Sequence, residues 1–256
     1  MRHVLALMLM AACGRFGFDG HTSDAAANVS DVAMRDGAPG SDAFEPECLS
    51  TYAICDGFEG SSFDPVWTAS SGATLDSTVA HRGMQSLHVH TDAIAENDGD
   101  DEGVIESSTF GSAAAPLYVR AFVRFAAVPV DHVGVIEAEQ ASGPDPMTDG
   151  VFDTTTGLVV YSQFTDTSDE TMLQPTLDAW TCLVFEIVRA NDNTGKLVLT
   201  GDYTGELDTI TDGMPLLGEL QLGIAFANST DTQPQPPYDL WIDDVIVAYT
   251  PVGCAD

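Results

Sequence analysis

From Cys48 onward, apolar residues recur at every second position in short runs, and Gly, Pro, Asn or Asp breaks each run. Leu117–Ala126 carries the pattern most clearly. Leu117, Val119, Ala121, Val123 and Phe125 fall on one side, and Tyr118, Arg120, Phe122 and Arg124 fall on the other. A period of two is the signature of a strand with one face turned to a core. The same reading predicts strands at Tyr52–Glu59, Ala73–Val79, Ser86–Thr91, Val104–Thr109, His132–Gln140, Thr156–Phe164, Trp180–Arg189, Lys196–Tyr203, Glu219–Ala227 and Asp239–Tyr249. No amphipathic helical pattern interrupts them. Many short strands separated by turn signals predict an all-β fold, an antiparallel β-sandwich of jelly-roll type, over residues 48–256.

Two different textures precede it. Arg2 and His3 give a basic start, and Val4 to Met10 form an apolar run too short to span a bilayer, so residues 1–12 read as a cleavable export signal. Residues 13–47 are rich in Asp, Ser, Ala and Gly without apolar periodicity, the composition of a disordered, solvated tether.

Charge narrows the partners. Forty acidic residues against eight basic ones give a formal net charge of -32. Such a field repels nucleic acid and anionic polymers, and it fits an exported module that binds neutral sugars or calcium. Of five cysteines, Cys13 belongs with the signal, leaving Cys48, Cys55, Cys182 and Cys254. An even remainder in an oxidising compartment predicts two disulfides, with three connectivities open. Scattered histidines and the lack of a Cys-x-x-Cys spacing exclude a zinc site of ordinary pattern.

The polar sides of the strands supply the candidate chemistry. They place Tyr118, Arg120 and Arg124 on one strand, Glu137 and Glu139 on a second, Tyr161 and Gln163 on a third, and Trp180 and Glu186 on a fourth. If these strands are neighbours, rings and hydrogen-bonding groups line one concave surface, which suits a glycan. Glu137 and Glu139, roughly 6.6 Å apart along a strand, also raise the alternative of carboxylate-based glycan cleavage. No G-x-S-x-G, H-E-x-x-H or P-loop pattern occurs.

Two resemblances sharpen the expectation. Met10-Ala11-Ala12-Cys13 resembles the lipobox of bacterial lipoproteins. That implies a diacylated Cys13 and a protein anchored by lipid to the cell envelope; Gly14 after it implies the outer membrane. Phe58-Glu59-Gly60, Gly83-Met84-Gln85-Ser86-Leu87-His88-Val89 and Ile242-Asp243-Asp244-Val245 resemble the first, early and last strands of jelly-roll carbohydrate-binding modules. Trp180 to Tyr203 is similar to concanavalin A-like lectin and laminin-G-like domains. The resemblance implies a structural Ca²⁺ held by Glu59 and Asp243 or Asp244. Pairing Glu59 with Asp243 across antiparallel first and last strands gives the register that also pairs Cys48 with Cys254, leaving Cys55 for Cys182. The glucanase pattern E-x-D-x-x-E fails at Glu137-Ala138-Glu139-Gln140-Ala141-Ser142, and the lyase pattern Q-I-H is absent. The expected protein is therefore a non-catalytic, lectin-like glycan binder. The alternatives are a glycoside hydrolase or lyase using Glu137 and Glu139, or a structural or adhesive surface protein.

Overall fold

The alternating runs form strands, as their periodicity requires. The computed structural model describes residues 48–96, 101–108, 116–140, 148–189, 194–202, 207–212, 217–230 and 233–255. Cys13, the signal and the tether lie outside the described residues. The strands are β1 (Ile54–Asp56), β2 (Thr68–Ala69), β3 (Ala73–Asp76), β4 (Ser86–Thr91), β5 (Asp101–Ser107), β6 (Leu117–Phe125), β7 (His132–Gln140) and β8 (Thr148–Thr154). They continue with β9 (Leu158–Ser162), β10 (Thr167–Glu170), β11 (Trp180–Arg189), β12 (Thr194–Gly201), β13 (Leu207–Asp212), β14 (Leu217–Ala227) and β15 (Tyr238–Ala248). No helix occurs among the described residues.

Two antiparallel sheets pack face to face. Sheet I runs β13-β12-β11-β6-β15-β4-β3, and β1 joins it by pairing with β15. Sheet II runs β10-β9-β8-β7-β14-β5-β2. Between them lies one apolar layer to which Leu117, Val119, Ala121, Val123 and Phe125 of β6 contribute, all with 0–1% exposure. That is the face alternation assigns to the core. Leu183, Phe185 and Ile187 do the same from β11, and Leu220 and Leu222 from β14.

First and last strands pair antiparallel, but one residue away from the expected register. Ile54 faces Val247, Cys55 faces Ile246 and Asp56 faces Val245. The cysteine pairing expected from that register is overturned: Cys48–Cys254 and Cys55–Cys182 do not form. A turn with Tyr52 N–H donating to the Leu49 carbonyl folds Cys48 back onto Cys55, and those two are bonded. Cys182 projects from the outer face of sheet I, where the segment after β15 crosses it, and bonds Cys254.

A second, smaller apolar cluster covers that outer face. Tyr118, Phe122, Cys182, Val184, Ile246, Ala248 and Val252 are buried there, with Tyr52 and Trp180 packed against them. His81, from the β3–β4 connection, stacks on Phe122 at 3.8 Å. The outer face of sheet I is thus covered where β6, β11 and the end of β15 meet, and its polar appearance in the sequence does not make that part a surface.

Candidate functional site in the groove of sheet II

Sheet II keeps its outer face open. A groove of about 810 Å³ runs across β7, β8, β9, β10 and β14. Strand register grades its floor. At one end, His132, Phe152 and Phe226 cluster, with ring centroids 5.2 Å apart for His132–Phe226 and 5.4 Å for Phe152–Phe226. Tyr161 lies 5.9 Å from Phe152, edge to face. In the middle, Glu137 sits between its cross-strand partners Gly150 on β8 and Gln221 on β14. At the other end, Glu139 faces Thr148 on one side and Glu219 on the other.

Glu137 is the unusual group. Its side chain is buried, with 3% exposure, yet Oε1 has no hydrogen-bond partner. Two glycines make its space. A Cβ on Gly134 would press on the Glu137 carboxyl, and one on Gly150 would meet Glu137 Cγ at 3.0 Å. Burial, and then the charge of Glu139, push the Glu137 carboxyl up to about 8, a shift that a bond from Thr148 only partly offsets. Glu139 is raised as well, by burial first and then by Glu219, Glu106 and Glu102. Gln221 Nε2 bridges this end by donating to Glu139 Oε1 and Glu219 Oε1, both at 3.2 Å.

The remaining walls offer fixed polar groups. Tyr161 OH donates to Asp166 Oδ1 at 3.2 Å, and Gln163 Oε1 accepts from Thr148 N–H at 3.0 Å. His132 lies between Asp131, 3.2 Å from Nδ1, and Asn228, 3.1 Å from Nε2. The arrangement combines faces for stacking, donors and acceptors with set directions, and a protonated acid beside carboxylates.

Of the nine sequence-predicted ligand residues, Glu137, Glu139, Tyr161 and Gln163 converge in this groove. Tyr118, Arg120, Arg124, Trp180 and Glu186 do not, because β6 and β11 belong to sheet I and their outward side points away from sheet II. Arg120 is fully buried, donating from Nη2 to the Asp244 carbonyl at 3.2 Å. Tyr118 faces Glu186 across the strand pair, and its hydroxyl is pushed up to about 12, first by burial and then by Glu186. Trp180 packs in the outer cluster. Arg124 lies over the Trp241 ring, 4.7 Å from its centroid, and pairs with Asp178 at 2.7 Å.

His132, Thr148, Phe152, Gln221 and Phe226 went unrecognised in the sequence. Thr148 and Phe152 belong to β8, whose core-facing positions carry Asp149 and Asp153 on either side of Val151. Asp153 is held there by the Tyr238 hydroxyl at 2.7 Å, so tertiary contact replaces the local pattern.

The predicted calcium ligands meet around one loop. Glu59 Oε1 accepts from Met84 N–H at 2.8 Å and Gln85 N–H at 3.0 Å. Asp243 Oδ2 accepts from His81 N–H at 2.7 Å and Arg82 N–H at 3.2 Å, and Oδ1 accepts from Asp244 N–H at 2.8 Å. Burial pushes the Asp243 carboxyl up to about 7 despite those bonds. Asp244 Oδ2 lies 2.6 Å from His81 Nδ1 and 3.6 Å from Arg82 Nε. Asp243 therefore spends both oxygens on N–H groups, whereas Glu59 Oε2 and Asp244 Oδ1 are buried without a partner. Among the described residues, no three His, Cys, Asp or Glu side chains gather as a metal site.

No protein-family model matches the chain, and no curated protein matches it either. Solved structures do resemble it. The cellulose-induced protein Cip1 aligns at 20% identity and TM-score 0.55, over 78% of this chain and 99% of that one. An endo-β-1,4-glucuronan lyase from the fungus Trichoderma reesei aligns at 16% identity and TM-score 0.52, over 79% and 92%. A marine PL-14 alginate lyase from Aplysia kurodai aligns at 9% identity and TM-score 0.51, over 72% and 89%. The likeness is one of fold. This chain is a β-sandwich of the jelly-roll type that these proteins share.

Proposed function

We propose that the protein is a lipid-anchored, exported glycan-binding protein whose ligand lies in the groove of sheet II. One observation carries the reading: an open trough whose floor joins aromatic rings to directed polar groups around the buried Glu137, whose Oε1 has no hydrogen-bond partner. The resemblance in fold to Cip1 and to lyases of glucuronan and alginate supports a glycan as the ligand class. It does not bring their substrates with it. Glucuronan and alginate are polyanions, and this groove presents Glu102, Glu137, Glu139 and Glu170 with no Lys or Arg among its described lining residues. A glycan array probed with the purified protein tests the proposal. Binding to neutral or cationic glycans that Phe226→Ala or Tyr161→Ala weakens is the expected result; an array with no bound glycan refutes it. Membrane attachment rests on the lipobox resemblance, and release of a Cys13→Ser variant from the membrane fraction is its test.

A catalytic reading has its own observation. Glu137 retains a proton near neutral pH beside Glu139 on the same face, the pairing of acid and carboxylate that glycoside cleavage uses. In that case Glu137 protonates the departing oxygen, and Glu139 activates water or attacks the sugar carbon. Release of new reducing ends that both Glu137→Gln and Glu139→Gln abolish would establish it; unchanged release in the variants removes it.

A structural calcium ion is proposed separately, at Glu59 and Asp244. Their two unpartnered buried oxygens fit a hard cation, with backbone carbonyls as its other ligands. Asp243 is a weaker candidate ligand, since three N–H donors take three of its roughly four acceptor sites. Added calcium should raise the melting temperature of the wild type and not of Glu59→Gln; an equal response in both excludes the site.

A further inference from the structure

Charge is distributed unevenly between the two sheets. After Cys48, the Lys and Arg residues are Arg82, Arg120, Arg124, Arg189 and Lys196. Arg120 and Arg124 lie on β6, Arg189 on β11 and Lys196 on β12, all strands of sheet I, while Arg82 precedes β4. No strand of sheet II carries either residue type. The segments between 97 and 232 that lie outside the described residues contain none in their sequence. The groove therefore has acidic walls and, among its described lining residues, no side chain except His132 that can carry positive charge.

An acidic wall alone selects nothing, since water and salt can screen it. Here it surrounds a carboxyl that is almost fully buried and whose Oε1 lacks any donor, at the centre of the floor. A buried acceptor without a partner costs stability that a bound donor returns. The neighbouring Glu139 has a similar need: three further carboxylates crowd it, and the donor it has is the neutral amide of Gln221. A neutral hydroxyl can satisfy one acceptor, but it leaves the crowded negative charge unrelieved. An ammonium group supplies three donors and a positive charge, and it favours the ionised form of each carboxylate it meets.

Resting on the reading of this groove as a glycan site, we propose that it selects polysaccharides with free amino groups, that is, de-N-acetylated hexosamine polymers. The amino groups lie along Glu137 and Glu139, and the sugar faces stack on Phe226 and Tyr161, which are part-exposed in the groove. Acetylation removes the charge, replaces the donors with an amide and adds bulk over a carboxylate floor. N-acetylated polymers are therefore weaker ligands.

The test is titration calorimetry of the purified protein against hexasaccharides of glucosamine, N-acetylglucosamine and glucose, in α-1,4 and β-1,4 series, at mildly acidic pH. The amine form should bind at least about tenfold tighter than the other two, since one hydrogen bond to a charged group is worth that much. Raising salt from about 0.05 M to about 0.5 M should remove most of the advantage. Glu139→Gln and, independently, Glu219→Gln should narrow the ratio between amine and acetylated ligands. Asp92→Asn, which removes a highly exposed carboxylate 3.7 Å from His90 just after β4 and outside the groove lining, should leave that ratio intact. Equal affinity for the three sugars overturns the amine proposal and leaves the glycan site standing. Absence of binding by all of them overturns both. A ratio that Asp92→Asn narrows as much as Glu139→Gln assigns the effect to net charge and overturns the site.

Discussion

Replacing Glu137 with Gln keeps the shape of the side chain and removes its titration. In the folded protein this carboxyl is pushed from 4.5 up to about 8, chiefly by burial. The native state thus holds a proton that the unfolded chain has already released at neutral pH. Below pH 4.5 both states are protonated, and the group costs nothing. Between there and about pH 8 the wild type loses stability as pH rises, by about 1.4 kcal/mol per pH unit, and the loss levels off above that window. From about pH 5 to about pH 9 the difference comes to about 4 kcal/mol. The Glu137→Gln variant carries no such cost, and all other titrating groups are common to both proteins. Urea unfolding followed by tryptophan fluorescence, with disulfides intact, measures the two stabilities at each pH. Glu137→Gln should be close to wild type at about pH 5 and more stable by about 4 kcal/mol at about pH 9. Stability curves that stay parallel across that range would mean that Glu137 ionises normally, and the account of a buried, protonated acid in the groove would be wrong.

Three further outcomes follow from the structure. Replacing Cys182 and Cys254 with Ser should cost about 4 kcal/mol, against about 2.5 kcal/mol for Cys48 and Cys55, because the first bridge closes a loop of 72 residues and the second one of 7; denaturant melts compare them, and peptide mapping without reduction checks the pairing. Arg120→Ala should cost about 1–3 kcal/mol for each buried carbonyl, such as that of Asp244, left without its donor, and glycan affinity per folded molecule should not change. Gly134→Ala should displace the Glu137 carboxyl, costing about 1–3 kcal/mol in melts and weakening any glycan that the calorimeter detects on the wild type.

Periodicity was a good guide wherever the core side of a strand is apolar. The ends of β4, β7 and β11 coincide with the expected Ser86–Thr91, His132–Gln140 and Trp180–Arg189. It failed at β8, where Asp149 and Asp153 occupy core positions, and at β13, whose Thr and Asp content reads as turn. It also gave the correct outward side for Tyr118, Arg120 and Arg124 but said nothing of which sheet that side belonged to. Strand order is set by contacts between residues far apart in sequence, so a shared groove for β6, β7, β9 and β11 was not decidable from alternation. The disulfides show the same limit, since a turn at residues 49–52 redirects Cys48 from the far end of the chain to its near neighbour.

β15 occupies the interior of sheet I, bonded to β6 along one side and to β4 and then β1 along the other. These partners are made long before it during synthesis. Until residues 238–248 leave the ribosome, β4 and β6 have no strand between them, and their backbone donors and acceptors stay available to water or to other chains. Folding must therefore wait for translation to pass the last strand. A polypeptide stalled just short of that point is the most prone to aggregate.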